Sequence, residues 1–123
     1  MSGRIFVVED DALLRDAVDL ILSDAGYAVG FTGAGRGAVE VIAAFRPDLV
    51  LLDIRLPDVS GLDVLTALRK AGHRYPVVMM TADSRPETVR DVMALGGDGY
   101  LVKPLEAADL VSRVQRALRA VRR

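Results

Sequence analysis

Five short apolar runs, each followed by a segment of helical periodicity, leave this chain few folds to choose from. The runs fall at residues 5–8, 28–31, 49–52, 77–80 and 100–102. Each is mostly aliphatic or β-branched and closes on a polar, Gly or Pro signal, the pattern of strands buried on both faces. Between them, Leu14, Val18, Ile21 and Ala25 form a helical stripe that Gly26 ends. Ala38, Val41, Ile42 and Phe45 form a second, ended by Arg46-Pro47, and Leu62, Leu65 and Leu68 a third, ended by Gly72. Val89, Val92 and Met93 make the fourth, opened by Ser84 as a cap and by Glu87 reaching back to it. Leu110, Val114, Ala117, Leu118 and Val121 make the fifth. A strand-then-helix unit repeated five times predicts an α/β fold, with a parallel sheet covered on both faces and right-handed crossovers. The four methionines fall on these faces and read as core filler.

At 123 residues the chain has the size of one ordinary domain, and no linker, repeat or low-complexity stretch divides it. Residues 1–123 therefore read as a single domain. A content of 51% hydrophobic and 27% charged residues is a globular balance rather than a disordered one. The formal net charge of −1 gives no general pull toward nucleic acid or anionic membrane. The absence of cysteine excludes disulfides, thiolate metal sites and thiol catalysis. No apolar run approaches the ~18 residues that span a bilayer, and the first residues do not form a signal peptide. A soluble cytoplasmic protein without a membrane partner is the expectation.

In a sheet of this kind the ligand site lies outside the C-terminal ends of the strands. The residues directly after each run are therefore the ones to read. After the first come Glu9, Asp10 and Asp11; after the third, Asp53; after the fourth, Thr81 and Ala82; after the fifth, Lys103 and Pro104. The second run ends in Thr32-Gly33, which brings no comparable chemistry. Carboxylates gathered on one rim repel one another unless a cation or proton intervenes. Oxygen-only donors without His or Cys suit a hard divalent ion, and Mg²⁺ fits best. An Asp carboxylate is a competent nucleophile toward phosphorus, a lysine can pair with phosphoryl oxygens, and a threonine hydroxyl can hydrogen-bond one.

The segments Val7-Val8-Glu9-Asp10-Asp11, Asp53-Ile54-Arg55-Leu56-Pro57-Asp58-Val59-Ser60-Gly61, Met80-Thr81-Ala82 and Tyr100-Leu101-Val102-Lys103-Pro104 resemble the response-regulator receiver family of two-component signalling, chemotaxis regulators included. They match in order and spacing, and the resemblance covers essentially the whole chain. It implies a flavodoxin-like doubly wound (βα)5 fold with a five-stranded parallel sheet of order 2-1-3-4-5. It also implies that Asp53 is the phosphoacceptor and that Mg²⁺ is held by Asp10 and Asp53, by Glu9 through a water, and by the backbone carbonyl of Arg55. Lys103 and Ala82 would contact the phosphoryl group, and the bond from Lys103 to Pro104 would be cis. Thr81 and Tyr100 would be the switch pair, while Pro57 and Gly61 would be structural. The phosphodonor would be a sensor histidine kinase or a histidine phosphotransfer protein. The face made by the fourth helix, fifth strand and fifth helix would then act on an output protein or domain, and could pair two copies as a homodimer.

Several residues carry a plainer reading beside the functional one. Asp11 is either a third pocket acid or the N-cap of the first helix, and the cap is favoured. Arg55 and Asp83, two residues beyond the acceptor and the switch threonine, are expected either to pair across the site or to stand as solvated loop charges. His73 reads as a solvated loop residue without metal partners. The glycine-rich stretch Gly96-Gly97-Asp98-Gly99 predicts a loosely ordered connection before the fifth strand. Arg113, Arg116, Arg119, Arg122 and Arg123 lie mostly off the buried stripe and read as a solvated, dipole-favoured helix end. Direct nucleic-acid binding is not expected.

Three rival functions fit the fold less well. An aspartate-nucleophile phosphatase usually carries an acid two residues after the nucleophile, where this chain has Arg55. A flavin carrier needs a phosphate-cradling first loop, where this chain has three acids that would repel a phosphate. A degenerate receiver acting only as a scaffold would have lost the acceptor, the metal acid or the lysine, and all three are present. The expectation is a signalling switch rather than a turnover enzyme.

Overall fold

A computed structural model describes residues 3–121 of the backbone. Arg122, Arg123 and the side chain of Val121, all named above, lie outside the described residues, as does Met1. The alternation seen in the sequence becomes β1 (Arg4–Val8), α1 (Ala12–Asp24), β2 (Ala28–Thr32), α2 (Ala38–Phe45), β3 (Leu49–Asp53), α3 (Gly61–Lys70), β4 (Val77–Thr81), α4 (Pro86–Ala94), β5 (Gly99–Val102) and α5 (Ala107–Val121). The strands form one parallel sheet in the order β2-β1-β3-β4-β5, the flavodoxin-like doubly wound arrangement.

Successive strand residues point to opposite faces, so the core divides in two. Ile5, Val7, Leu49, Leu51, Val78 and Met80 pack with Val18 and Leu22 of α1 and Leu110, Val114 and Leu118 of α5. Phe6, Val8, Val50, Leu52, Val77 and Met79 pack with Ala38 and Ile42 of α2, Val64, Leu65 and Leu68 of α3, and Val92 of α4. Each fully buried aliphatic side chain contributes about 1.5–3 kcal/mol relative to exposure, which is why polar residues in the central strands stand only at the ends, at Arg4, Asp53 and Thr81.

That burial holds for β1, β3 and β4 but not for the outer strands. β2 is half-exposed throughout and Val102 of β5 is exposed, because both strands are sheet edges that helices only partly cover. Two helical positions also differ from the expected stripes: Val41 and Met93 face solvent, so Met93 is not core filler. In α2 the buried contacts come instead from Ala38 and Ile42, with Val39 and Phe45 packed beside them.

Helix ends show how local sequence sets the connections. Asp11 caps α1, its carboxylate accepting the amides of Leu13 and Leu14, which settles it as the cap rather than a pocket acid. The expected capping box at α4 does not form. Arg85 occupies the cap position, and its side chain makes no capping bond to the helix amides. Asp83 does the work from two residues upstream, accepting the Arg85 amide and guanidinium and the Thr88 hydroxyl. A carboxylate able to take several charged and neutral donors at once outcompetes the single hydroxyl of Ser84.

The glycine-rich turn before β5 is tied down. Gly97 donates to the Val92 carbonyl and Asp98 to the Val77 carbonyl, while Arg69 reaches both the Gly96 carbonyl and the Asp98 carboxylate. A Cβ on Gly97 would lie 2.5 Å from Val92 Cγ1, so glycine is there for close packing, not for looseness. His73 is half-buried and stacks on Tyr75 with ring centroids 5.3 Å apart.

Candidate functional site

Four strands end at one rim, and each delivers a different group. β1 ends one residue before Glu9, β3 ends on Asp53, β4 ends on Thr81, and β5 ends one residue before Lys103. Hydrophobic packing of the strands pulls these polar residues inward with them. Glu9 is 1% exposed, Asp53 4% and Thr81 5%, whereas Asp10 stays on the surface.

Carboxylate oxygens of Glu9, Asp10 and Asp53 all lie within 4.8 Å of one another. Lys103 Nζ bridges two of them, 2.9 Å from Glu9 Oε1 and 3.1 Å from Asp53 Oδ2. The remaining oxygens have backbone donors: Asp11 N–H to Glu9 Oε2 at 3.1 Å, and Arg55 N–H to Asp53 Oδ1 at 3.2 Å. Burial disfavours the Lys103 ammonium, but hydrogen bonds to Glu9 and Asp53, with their charges, outweigh it and hold the lysine above its ordinary pKa. Three carboxylates face one ammonium, so the cluster is short of positive charge.

The lysine is aimed by its own backbone. Its amide donates to the Thr81 carbonyl at 2.7 Å, and the Lys103–Pro104 peptide bond is cis. The Thr81 hydroxyl accepts the Asp83 amide at 2.9 Å. Ala82 is exposed beside it, lining a cleft of about 360 Å³ with Arg55, Asp83 and Arg85. Arg55 and Asp83 thus border one cleft without pairing. Asp83 is taken by Arg85 at 2.7 Å, a partner two residues away that closes a smaller loop than Arg55 could.

Gly61 packs directly on the Asp53 carbonyl, where any Cβ would overlap backbone. Pro57 is exposed at the tip of the 54–60 loop. Tyr100 lies away from the rim, half-buried against the core between the sheet and α2–α4, and borders a groove of about 340 Å³ with Leu105, Glu106, Asp109 and Arg113. Two contributors were not visible in the sequence. Arg15 Nη1 donates to the Glu9 carbonyl at 3.1 Å. Asp58 crosses to the loop after β2, accepting Gly35 N–H at 2.9 Å and Arg36 N–H at 2.8 Å. The Asp58 contact has no local signal, since only the fold brings those two loops together, whereas the Arg15 contact spans six residues from the strand end to the first helix.

Fold and rim together define a doubly wound α/β protein with an acid–lysine pocket at its strand ends. Comparison with known proteins agrees. The family model described as "Response regulator receiver domain" matches residues 5–115. The chain is 41% identical over 121 residues, 97% of its length, to the DNA-binding response regulator MtrA of Mycobacterium tuberculosis. It is 40% identical over 112 residues, 91% of its length, to the transcriptional regulatory protein DltR of Streptococcus agalactiae. It spans about half the length of these curated relatives, 52% and 50% respectively. Among solved structures, the chemotaxis protein CheY4 of Vibrio cholerae superposes with a TM-score of 0.89 at 29% identity, over 95% of this chain and 99% of that one. The receiver domain of a LuxO repressor protein from Vibrio parahaemolyticus gives 0.92 at 28% identity, over 99% and 94%. The chain belongs to the response regulator receiver domain family of two-component signalling. Among the described residues, no helix is long and apolar enough to cross a membrane.

Proposed function

We propose that this receiver accepts a phosphoryl group on Asp53, in a Mg²⁺-dependent reaction, from the phosphohistidine of a sensor histidine kinase or phosphotransfer protein. The observation that carries this reading is the charge deficit: buried Asp53 and Glu9 share Lys103, and Asp10 at the mouth adds a third carboxylate within 4.8 Å. The donor set is all hard oxygen, which fits Mg²⁺. Asp10 and Asp53 would hold the ion directly, with Glu9 through a water and the Arg55 backbone carbonyl as a further ligand. Bound there, Mg²⁺ supplies charge neutralisation for the incoming phosphoryl group.

In the transfer, an Asp53 oxygen bonds to phosphorus as the histidine N–P bond breaks, and the imidazole takes up a proton as it leaves. Lys103 already lies against Asp53 Oδ2 and is placed to pair with the phosphoryl oxygens. Ala82 is small and exposed, and would leave room for the phosphoryl oxygens to approach its backbone. Thr81 would exchange its bond from the Asp83 amide for one to the phosphoryl group. That movement would bias Tyr100 and the α4–β5–α5 face, where the Tyr100 groove lies, toward an output protein or domain or a second copy of the chain. The surroundings act in a cytoplasmic signalling chain, and catalysis serves only the receiver's own phosphorylation and slow dephosphorylation.

Acetyl phosphate with Mg²⁺, followed by intact-mass measurement, tests the reading. One phosphoryl adduct that disappears in Asp53→Ala and without Mg²⁺ is expected. An adduct that persists in either control overturns it.

A further inference from the structure

Asp58 lies outside the acid–lysine pocket, yet it holds the loop that the pocket depends on. Residues 54–60 form a short hairpin between β3 and α3, closed at its base by an antiparallel Arg55–Ser60 bridge and by Gly61 N–H donating to the Ile54 carbonyl at 2.7 Å. Leu56 and Val59 pack its flanks on the core, and Asp58 supplies the hydrogen bonds that tie its tip to the β2–α2 loop. Oδ1 accepts Gly35 N–H at 2.9 Å and its neighbour Val59 N–H at 3.0 Å, and Oδ2 accepts Arg36 N–H at 2.8 Å. Gly35 is buried, and a Cβ there would overlap Val59 Cγ2, so the β2–α2 loop packs tightly against the hairpin's side chains. The amides of Arg36 and then Gly35 hold the Asp58 carboxyl below its ordinary pKa, so it stays ionised and gripping through neutral pH.

We infer that Asp58 is a positioning residue for the acceptor, clamping the 54–60 hairpin to the β2–α2 loop so that Arg55 presents its backbone to Asp53 and to the cation. The inference rests on the proposed Mg²⁺-dependent chemistry at Asp53. Arg55 N–H reaches Asp53 Oδ1 at 3.2 Å, the long end of the hydrogen-bond range, where a small shift loses the bond. With the tip released, the hairpin can pivot about its base, and the residue that moves at that base is Arg55. Groups that orient ligands in this way are typically felt as a 10–100-fold loss of metal affinity, at about that scale or below for a clamp one residue further out.

The test titrates the isotopically labelled, unphosphorylated chain with MgCl₂ and follows the Arg55 amide resonance. Asp58→Ala and Asp58→Asn are compared with wild type and with Asp98→Asn. Asp98 is an equivalent anchor at the other end of the sheet, accepting Val77 N–H and the Arg69 guanidinium. Expected are Mg²⁺ affinity weakened about tenfold in Asp58→Ala, less in Asp58→Asn, which keeps one acceptor oxygen, and unchanged in Asp98→Asn. Should Asp58→Ala not fold, Asp58→Asn carries the comparison alone. Unchanged affinity in Asp58→Asn with wild-type binding intact overturns the clamp. Equal weakening in Asp98→Asn also overturns it, by making the effect one of general stability. No Mg²⁺ binding by wild type would instead overturn the proposed function.

Discussion

The two ends of the sheet handle charge in opposite ways. At the strand N-terminal end, one guanidinium meets one carboxylate: Arg69 pairs with Asp98 at 3.0 Å and spends its other donors on the carbonyls of His73, Tyr75 and Gly96. Asp98 in turn accepts the Val77 amide, so charges and backbone groups are mutually satisfied. At the C-terminal end, Glu9, Asp10 and Asp53 cluster together, and among the described residues Lys103 is the one cation paired with them, through Glu9 and Asp53. A matched cluster holds structure together, whereas an unmatched one stores repulsion that a bound cation can relieve.

Removing a carboxylate should therefore have opposite consequences at the two ends, and removing the one paired cation should be the most damaging change. The largest effect is expected from Lys103→Met, which leaves buried Glu9 and Asp53 without their cation: phosphoryl transfer from acetyl phosphate falls about 100-fold or more, read as the initial rate of adduct formation. The same change lowers stability by about 3 kcal/mol near neutral pH, measured by urea unfolding. Mg²⁺ at about 100 times its dissociation constant should stabilise wild type by about 2.7 kcal/mol, and Asp53→Asn much less. Without Mg²⁺ the signs separate most plainly. Asp53→Asn should raise stability by about 1 kcal/mol by relieving repulsion, while Asp98→Asn lowers it by about 1 kcal/mol, the Asp98 side chain being partly exposed. Equal signs at the two ends would break the comparison.

The smallest effect concerns pH and the Asp58 clamp. Its folded pKa lies below the ordinary carboxylate value of 3.8, so its contribution is complete above that value and is lost as pH falls through the folded pKa. The stability difference between wild type and Asp58→Asn should therefore be constant through neutral pH and close on the acid side. A difference that instead closes on the alkaline side would contradict the assignment.

Much of this was legible in the amino-acid sequence because hydrophobic periodicity and strand-end position are both local signals. The five runs located the strands to within one residue at each end, and the extra residue is instructive: Asp53 and Thr81 complete their strands' hydrogen bonding although they are polar. What escaped depended on which loops and edges the fold brings together. Burial of β2 and β5 depends on strand order, and their edge position exposes Phe31 and Val102. The capping box at Ser84 and Glu87 and a pairing of Arg55 with Asp83 both failed for one reason. Asp83 had a nearer and better-matched set of donors in Arg85 and Thr88. The Asp58 contact spans 22 and 23 residues, and no periodicity reports a bond of that reach.

Borohydride reduction after incubation with acetyl phosphate and Mg²⁺ tests the central claim most directly, because it converts an aspartyl phosphate to homoserine at the modified position. Peptide mass mapping should find homoserine at position 53, in amounts that depend on Mg²⁺ and on Lys103. Homoserine at position 10 or elsewhere, or at position 53 without any need for Mg²⁺, would contradict the reading of the unmatched cluster as the phosphoacceptor site.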